Sequence, residues 1–155
     1  MVFRGKGLSK REASYTTEKI NAVFGCDCSY LADEYTFFQS EKSKIYLISN
    51  NIKQISFDNL NINSLGLYFA ETGDDRVRLS IEGSQIIGKI ATKNILEVDE
   101  ETAKKWIKGG DIPSEQEFEG FVIIKNGSDF LGCGKYRQKT ILNFIPKARR
   151  IKGDM

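Results

Sequence analysis

FVIIKNGSDFLGCGKYRQKTILNFIPKARRIK, residues 121–152, is the stretch on which the fold turns. An apolar run, Phe121-Val122-Ile123-Ile124, precedes Asn126-Gly127, and a second apolar segment from Phe130 to Gly134 follows it. An Asn-Gly pair between two such runs predicts a β-hairpin, because tight two-residue turns need backbone at positive φ. The chain then changes character. From residue 135 onward it carries Lys135, Arg137, Lys139, Lys147, Arg149, Arg150 and Lys152 against the single acid Asp154. The first 134 residues hold the other 16 cations and 20 of the 21 acids, so a local charge of −4 faces a local +6. Charge segregated in this way points to an anionic partner at the C-terminal end, although a solvated basic tail would look the same.

Composition narrows the classes. A chain of 155 residues with 40% hydrophobic and 28% charged residues is expected to bury a real core as one domain or two small packed halves. No apolar run reaches the ~18 residues needed to span a bilayer, so no membrane role is expected. The start, MVFRGKGLSKR, lacks the apolar stretch of a secretory leader. With three cysteines, an odd number, a reducing cytoplasmic location is expected. The absence of histidine removes the commonest general base and metal ligand, which argues against hydrolytic or phosphoryl-transfer chemistry.

Outward from the opening stretch, residues 1–15 are basic and read as irregular. Thr16 and Thr17 are placed to cap a helix from Glu18 to Phe24, stopped by Gly25. Strands are predicted at Tyr35–Phe38, Lys44–Ile48 and Leu65–Ala70. After a turn at Thr72-Gly73-Asp74-Asp75 the chain returns as Arg76-Val77-Arg78-Leu79, where cations and apolar residues alternate with period two. Ser80–Ile90 reads as a short helix and Asn94–Val98 as a strand. Asp99 caps the clearest helix, Glu100–Lys108, with acids at its start, lysines at its end and Gly109 just beyond. Ala103, Trp106 and Ile107 share one face of it, which places the only tryptophan in the core.

Three motifs suggest chemistry that the residues do not support. Gly83 to Lys89 has the Gly-x4-Gly-Lys spacing of a phosphate-binding loop, but Ile90 stands where a Mg²⁺-holding hydroxyl is required. Cys26, Cys28 and Cys133 fall short of the four ligands of structural zinc, so no metal is expected. Gly132-Cys133-Gly134 is followed by no helix and is no dinucleotide fingerprint. Gly109-Gly110 stays open between two readings. Its amides could meet phosphate oxygens, or it could be a plain helix stop.

These residues also carry a family resemblance. Leu96 to Glu101, Ala103, and Trp106-Ile107-Lys108-Gly109-Gly110-Asp111-Ile112 resemble the opening strand, helix and glycine loop of a PUA domain, the small β-barrel first described in pseudouridine synthases and archaeosine transglycosylases. Gly120–Ile124, Phe130–Gly134 and Pro146–Ile151 are similar to its later strands. The first half, chiefly Gly66–Ala70 and Arg76–Gly83, resembles the α/β domain that precedes PUA in small archaeal and eukaryotic ribosome-biogenesis proteins. The second half is also similar to the C-terminal extension of RNA 5-methylcytosine methyltransferases. Those enzymes place a nucleophilic cysteine after a proline, whereas Pro113 and Pro146 precede Ser114 and Lys147. The likeness is therefore to the targeting part without the catalytic part.

The resemblance implies an α+β protein, with a pre-PUA-like α/β domain over residues 1–92 packed on a PUA-like β-barrel over 93–155. It implies a non-catalytic, cofactor-free RNA-binding role in rRNA or tRNA modification or ribosome biogenesis. Lys108, Gly109 and Gly110 would line one wall of the RNA cleft, with Arg149 and Arg150 on the other. Charge alone adds Lys135, Arg137, Lys139 and Lys147. The final twenty residues are expected to fold back as a strand, crowding these cations onto one wall. The alternative is a protein–protein adaptor that presents Tyr30, Tyr35, Phe37, Phe38, Tyr68 and Phe69 to an RNA methyltransferase or ribosome-assembly factor. An RNA-modifying enzyme ranks last.

Overall fold

The computed structural model describes residues 5–50, 66–73 and 76–152. Leu65, where the third strand was expected to begin, and Asp74-Asp75 of the following turn lie outside them.

The first helix, α1, runs Lys10–Phe24 and is twice as long as predicted. Its start is a capping box. The Ser9 hydroxyl accepts the Glu12 N–H, and the Glu12 carboxylate accepts the Ser9 N–H, both near 3 Å. Thr16 and Thr17 therefore cap nothing; they are buried, and their hydroxyls donate back to the Glu12 and Ser14 carbonyls. Ala13, Ile20 and Phe24 form the buried stripe, while Lys10 reaches solvent and an ion pair with Asp33. Gly25 ends the helix at φ +60, as expected.

A short β1 (Gly5–Gly7), the one-and-a-half-turn α2 (Tyr30–Glu34) and strands β2 (Tyr35–Ser40), β3 (Lys44–Ser49), β4 (Leu67–Gly73) and β5 (Arg76–Leu79) complete the first half. The five strands form an antiparallel sheet in the order β1-β2-β3-β4-β5. Phe37, Ile45, Leu47, Phe69, Val77 and Leu79 pack with the apolar stripe of α1. Phe37, Phe38 and Phe69 are buried, so they present nothing to a partner, in contrast to the expectation from sequence; Tyr30 is exposed.

Helix α3 (Ile81–Gly88) joins the halves. Ser80 caps it through the Gly83 N–H at 2.8 Å. Its glycines are there for close packing. A Cβ at Gly83 would collide with the Phe69 carbonyl, and one at Gly88 with the Phe130 ring. The Gly-x4-Gly-Lys spacing is thus a helix pressed between two sheets, with no loop to cradle a phosphate.

The second half contains β6 (Ile95–Glu97), α4 (Glu100–Ile107), β7 (Ile112–Pro113), β8 (Phe121–Asn126), β9 (Asp129–Arg137) and β10 (Thr140–Leu142). The sheet order is β6-β8-β9-β10-β7, with β6 parallel to β8 and the other pairs antiparallel. No pairing among the described residues joins β6 to β7, so the sheet order is open. Both edge strands nonetheless feed one core, since Ile112 of β7 and Leu96 of β6 pack with Trp106, Val122, Ile124, Ile141 and Ile145. The β8–β9 turn is one residue later than predicted. Asn126 pairs with Asp129, leaving Gly127-Ser128 as the turn with Gly127 at φ +61, the position where a type II′ turn needs glycine. Asn126 instead donates its side-chain amide to the Val98 carbonyl.

Ile123 and Cys133 of the second sheet join the core of the first, and the Thr92 and Lys93 amides bond to the Phe24 carbonyl at the end of α1. The protein is α+β, with two sheets meeting through a shared core. Among the described residues, no helix is long and apolar enough to cross a membrane.

Candidate nucleic-acid interface

Helix α4 positions the glycine corner. The Asp99 carboxylate accepts the Thr102 N–H at 2.7 Å, which holds its carboxyl below the usual aspartate range. Ala103 and Trp106 face inward, and the fully buried Trp106 donates its indole N–H to the Leu131 carbonyl at 2.8 Å. At the other end the Gly109 N–H bonds the Trp106 carbonyl and the Gly110 N–H bonds the Lys105 carbonyl, at 2.9 and 3.0 Å, with Gly109 at φ +103. That pair of bonds is a Schellman stop. Both amides are therefore occupied by the helix, and the open question from sequence resolves against a phosphate-binding nest.

The closing segment returns to this corner, but not as a strand. After β10 the chain passes through Asn143 and Pro146 into a 3₁₀ turn, Lys147–Arg149. The Ile151 N–H then bonds the Ile107 carbonyl at 3.0 Å. Arg150 lies across Gly109, so that a Cβ there would stand 2.6 Å from the arginine Cδ and Nε. Its Nε donates to the Ile145 carbonyl at 3.0 Å, which fixes the guanidinium over the corner. Asn143 ties the two segments together. Its amide donates to the Trp106 and Gly110 carbonyls at 2.7 and 2.9 Å, its backbone N–H bonds Asp111, and its side-chain oxygen accepts from Ile145. Sequence reading passed over Asn143; a lone amide inside the apolar run ILNFIP was the available signal.

The predicted cations do not share one wall. Lys108, Gly109, Gly110 and Arg150 meet at the corner, with the exposed Lys147 on the turn leading into it. Arg137 and Lys139 stand exposed at the end of the β9–β10 hairpin, where Gln138 and Lys139 both adopt positive φ, as a type I′ turn requires. Arg149 points away from Arg150 and pairs with Glu82 of α3 at 2.8 Å. Lys135 lines a cleft between the two sheets, together with Arg76, Arg78, Phe121 and Phe144. The wall expected from sequence is thus divided, and Arg149 is paired with a helix that sequence proximity gave no reason to consider.

The thiols are poor nucleophiles. Burial pushes Cys28 and Cys133 up to about 12, and Cys26 is raised as well. Among the described residues no group of three or more Cys, Asp or Glu side chains is placed to hold a metal.

Residues 93–151, the segment that holds the glycine corner and the closing turn, match the family described as the methyltransferase RsmF PUA domain. The second half is thus similar to a PUA domain of this type. Over 141 residues the chain is 29% identical to ribosomal RNA small subunit methyltransferase F of Aeromonas salmonicida and 27% identical to that of Aeromonas hydrophila. Over 139 residues it is 22% identical to the methyltransferase F of Vibrio vulnificus. These matches take in 90% of this chain but 28% of each relative, so the chain spans little more than a quarter of the length of the curated relatives it matches. The fold is also similar to the crystal structure of a hypothetical protein from Pyrococcus horikoshii OT3, with a TM-score of 0.57 at 13% identity, covering 91% of this chain and 93% of that one. That likeness spans both halves, so the two sheets and their helices recur together in one fold.

Proposed function

We propose that this chain is a non-catalytic RNA-binding protein that acts in rRNA or tRNA modification or ribosome biogenesis, in the cytoplasm. The match of residues 93–151 to the RsmF PUA domain carries the proposal, because it covers the basic glycine corner. On this reading the second sheet is the PUA-like β-barrel, curved around Trp106, and residues 93–155 are its domain. Phosphates lie against Lys108, Lys147 and Arg150 at the corner and Arg137 and Lys139 at the hairpin. These contacts set orientation, and the corner receives an unstacked position of the RNA, since RNA recognition targets loops and ends. The raised thiols support a role without cysteine chemistry.

Salt dependence of binding to single-stranded RNA tests the proposal. Five phosphate contacts predict a slope of log affinity against log salt of about −3.5. Arg150→Ala with Lys147→Ala should reduce that slope by about 1.4 and weaken all sequences equally. A slope near zero removes RNA from the proposal. The exposed Tyr30 leaves room for a second reading, in which the chain works as an adaptor for a methyltransferase or assembly factor. Its signature is a co-purifying protein that survives nuclease treatment.

A further inference from the structure

The cleft between the sheets is not part of the glycine corner, and residues of both halves form it. Arg76 and Arg78 lie two apart on β5, alternating with the buried Val77 and Leu79, so both side chains leave the same face. Opposite them, Lys135 of β9 stands in register with Phe121 of β8 and Leu142 of β10. The opening between them is about 440 Å³, within the ~300–1,000 Å³ of small-ligand sites.

Its chemistry is an arginine–aromatic contact flanked by two further cations. The Arg78 guanidinium sits 4.7 Å above the Phe144 ring, and Phe144 meets Phe121 edge-on at 6.4 Å. Arg78 is held in that position by its ion pair with Glu71. Phe144 remains 37% exposed, one of the few large apolar side chains so placed. Arg76 and Lys135 make no ion pair among the described residues, which leaves three cations against the one acid, Glu71, in this part of the cleft. Farther along, the cleft continues past Lys93 and Tyr136, with Glu119 as its other acid.

We infer that this cleft is a second RNA-binding site, which takes a single-stranded segment with one base against the Phe144–Arg78 stack and the flanking phosphates on Arg76 and Lys135. The inference rests on the RNA-binding reading above. An acidic peptide would satisfy Arg76 and Lys135, but it would leave the exposed aromatic–guanidinium pair without a partner, whereas every nucleobase has a π-face to offer. A duplex does not fit, because its bases are already stacked.

The experiment uses the full chain and a 12-nucleotide single-stranded RNA carrying 4-thiouridine, with the matching duplex as control. Variants are Arg76→Ala/Lys135→Ala, Phe144→Leu, and the corner pair Lys108→Ala/Lys147→Ala. Thermal melts confirm that each is folded. Phe144→Leu keeps an apolar side chain and should weaken single-stranded binding about fivefold to a hundredfold without changing the salt slope. The double cation variant should reduce the slope by about 1.4. Crosslinks should map to peptides containing Phe121 or Phe144. Crosslinks and losses confined to the corner variant would overturn the cleft site and leave the RNA reading standing. Failure of the unaltered chain to bind any RNA would overturn both. Displacement by a glutamate-rich peptide that is insensitive to Phe144→Leu would assign the cleft to a protein partner and also overturn the inference.

Discussion

Replacing Gly109 with alanine tests the central contact of the corner. Two costs and one gain are set by the structure. A φ of +103 is foreign to an L-residue, and holding alanine there costs about 1–3 kcal/mol. The new Cβ would stand 2.6 Å from Arg150 Cδ and Nε, so the guanidinium must leave its bond to the Ile145 carbonyl. Losing that bond costs about 1 kcal/mol. The stiffer unfolded chain returns about 0.4–1 kcal/mol. The expected net loss is about 1–3 kcal/mol, or a fall in melting temperature of about 3–10 °C for a chain of this size. Gly120→Ala is the control, because Gly120 also has positive φ, +79, but nothing lies within 4 Å of its added Cβ. It carries the backbone cost without the arginine. A double-mutant cycle between Gly109→Ala and Arg150→Ala, followed by urea denaturation, should give a coupling near 1 kcal/mol. A coupling below about 0.3 kcal/mol, or a Gly109→Ala no more costly than Gly120→Ala, would refute the packing of Arg150 on the corner.

Other substitutions probe the elements around it. Trp106→Phe leaves the Leu131 carbonyl without its donor in a filled core and should cost about 2–4 kcal/mol in urea melts, and a loss below about 1 would contradict the indole's role. Gly83→Ala or Gly88→Ala should overpack α3 against Phe69 or Phe130 by about 1–3 kcal/mol or more, while ATP leaves the melting temperature unchanged; a neutral substitution, or stabilisation by ATP, would restore the phosphate-loop reading. Asp99 has a lowered carboxyl pKa, so its stabilising effect is present above the unfolded-state value and is lost as pH falls through the folded one. Asp99→Asn should therefore differ from the parent in its melting temperature at pH 6 more than at pH 2, and an equal difference at both would refute a charged cap.

Much of the second half was legible because its signals are local. Asp99, the acids and lysines of α4, Trp106 at helical spacing and Gly109 at the stop all act within one or two turns, and each lies where it was expected. The first helix was misjudged for a local reason too. Ser9 and Glu12 form a capping box in a stretch whose basic, glycine-containing flank looked irregular, while the threonines downstream competed as caps. The turn at Gly127-Ser128 was displaced by one residue because Asn126 finds a partner in Val98, which no hairpin rule includes.

By itself, the sequence determined the α+β class, the order of most elements, the resemblance to PUA and the concentration of positive charge after Lys135. The direction of that charge was decided only in three dimensions. Arg149 turns to Glu82 of α3 and Arg150 to Gly109, although they are neighbours in the chain. Arg76 and Arg78 were visible as a period-two pattern, but the aromatic face they meet is assembled from the other sheet. The physical reason is range. Caps, turns and periodicity depend on backbone bonds within a few residues, whereas a cation's role depends on which distant carboxylate, ring or carbonyl the packed sheets bring within reach.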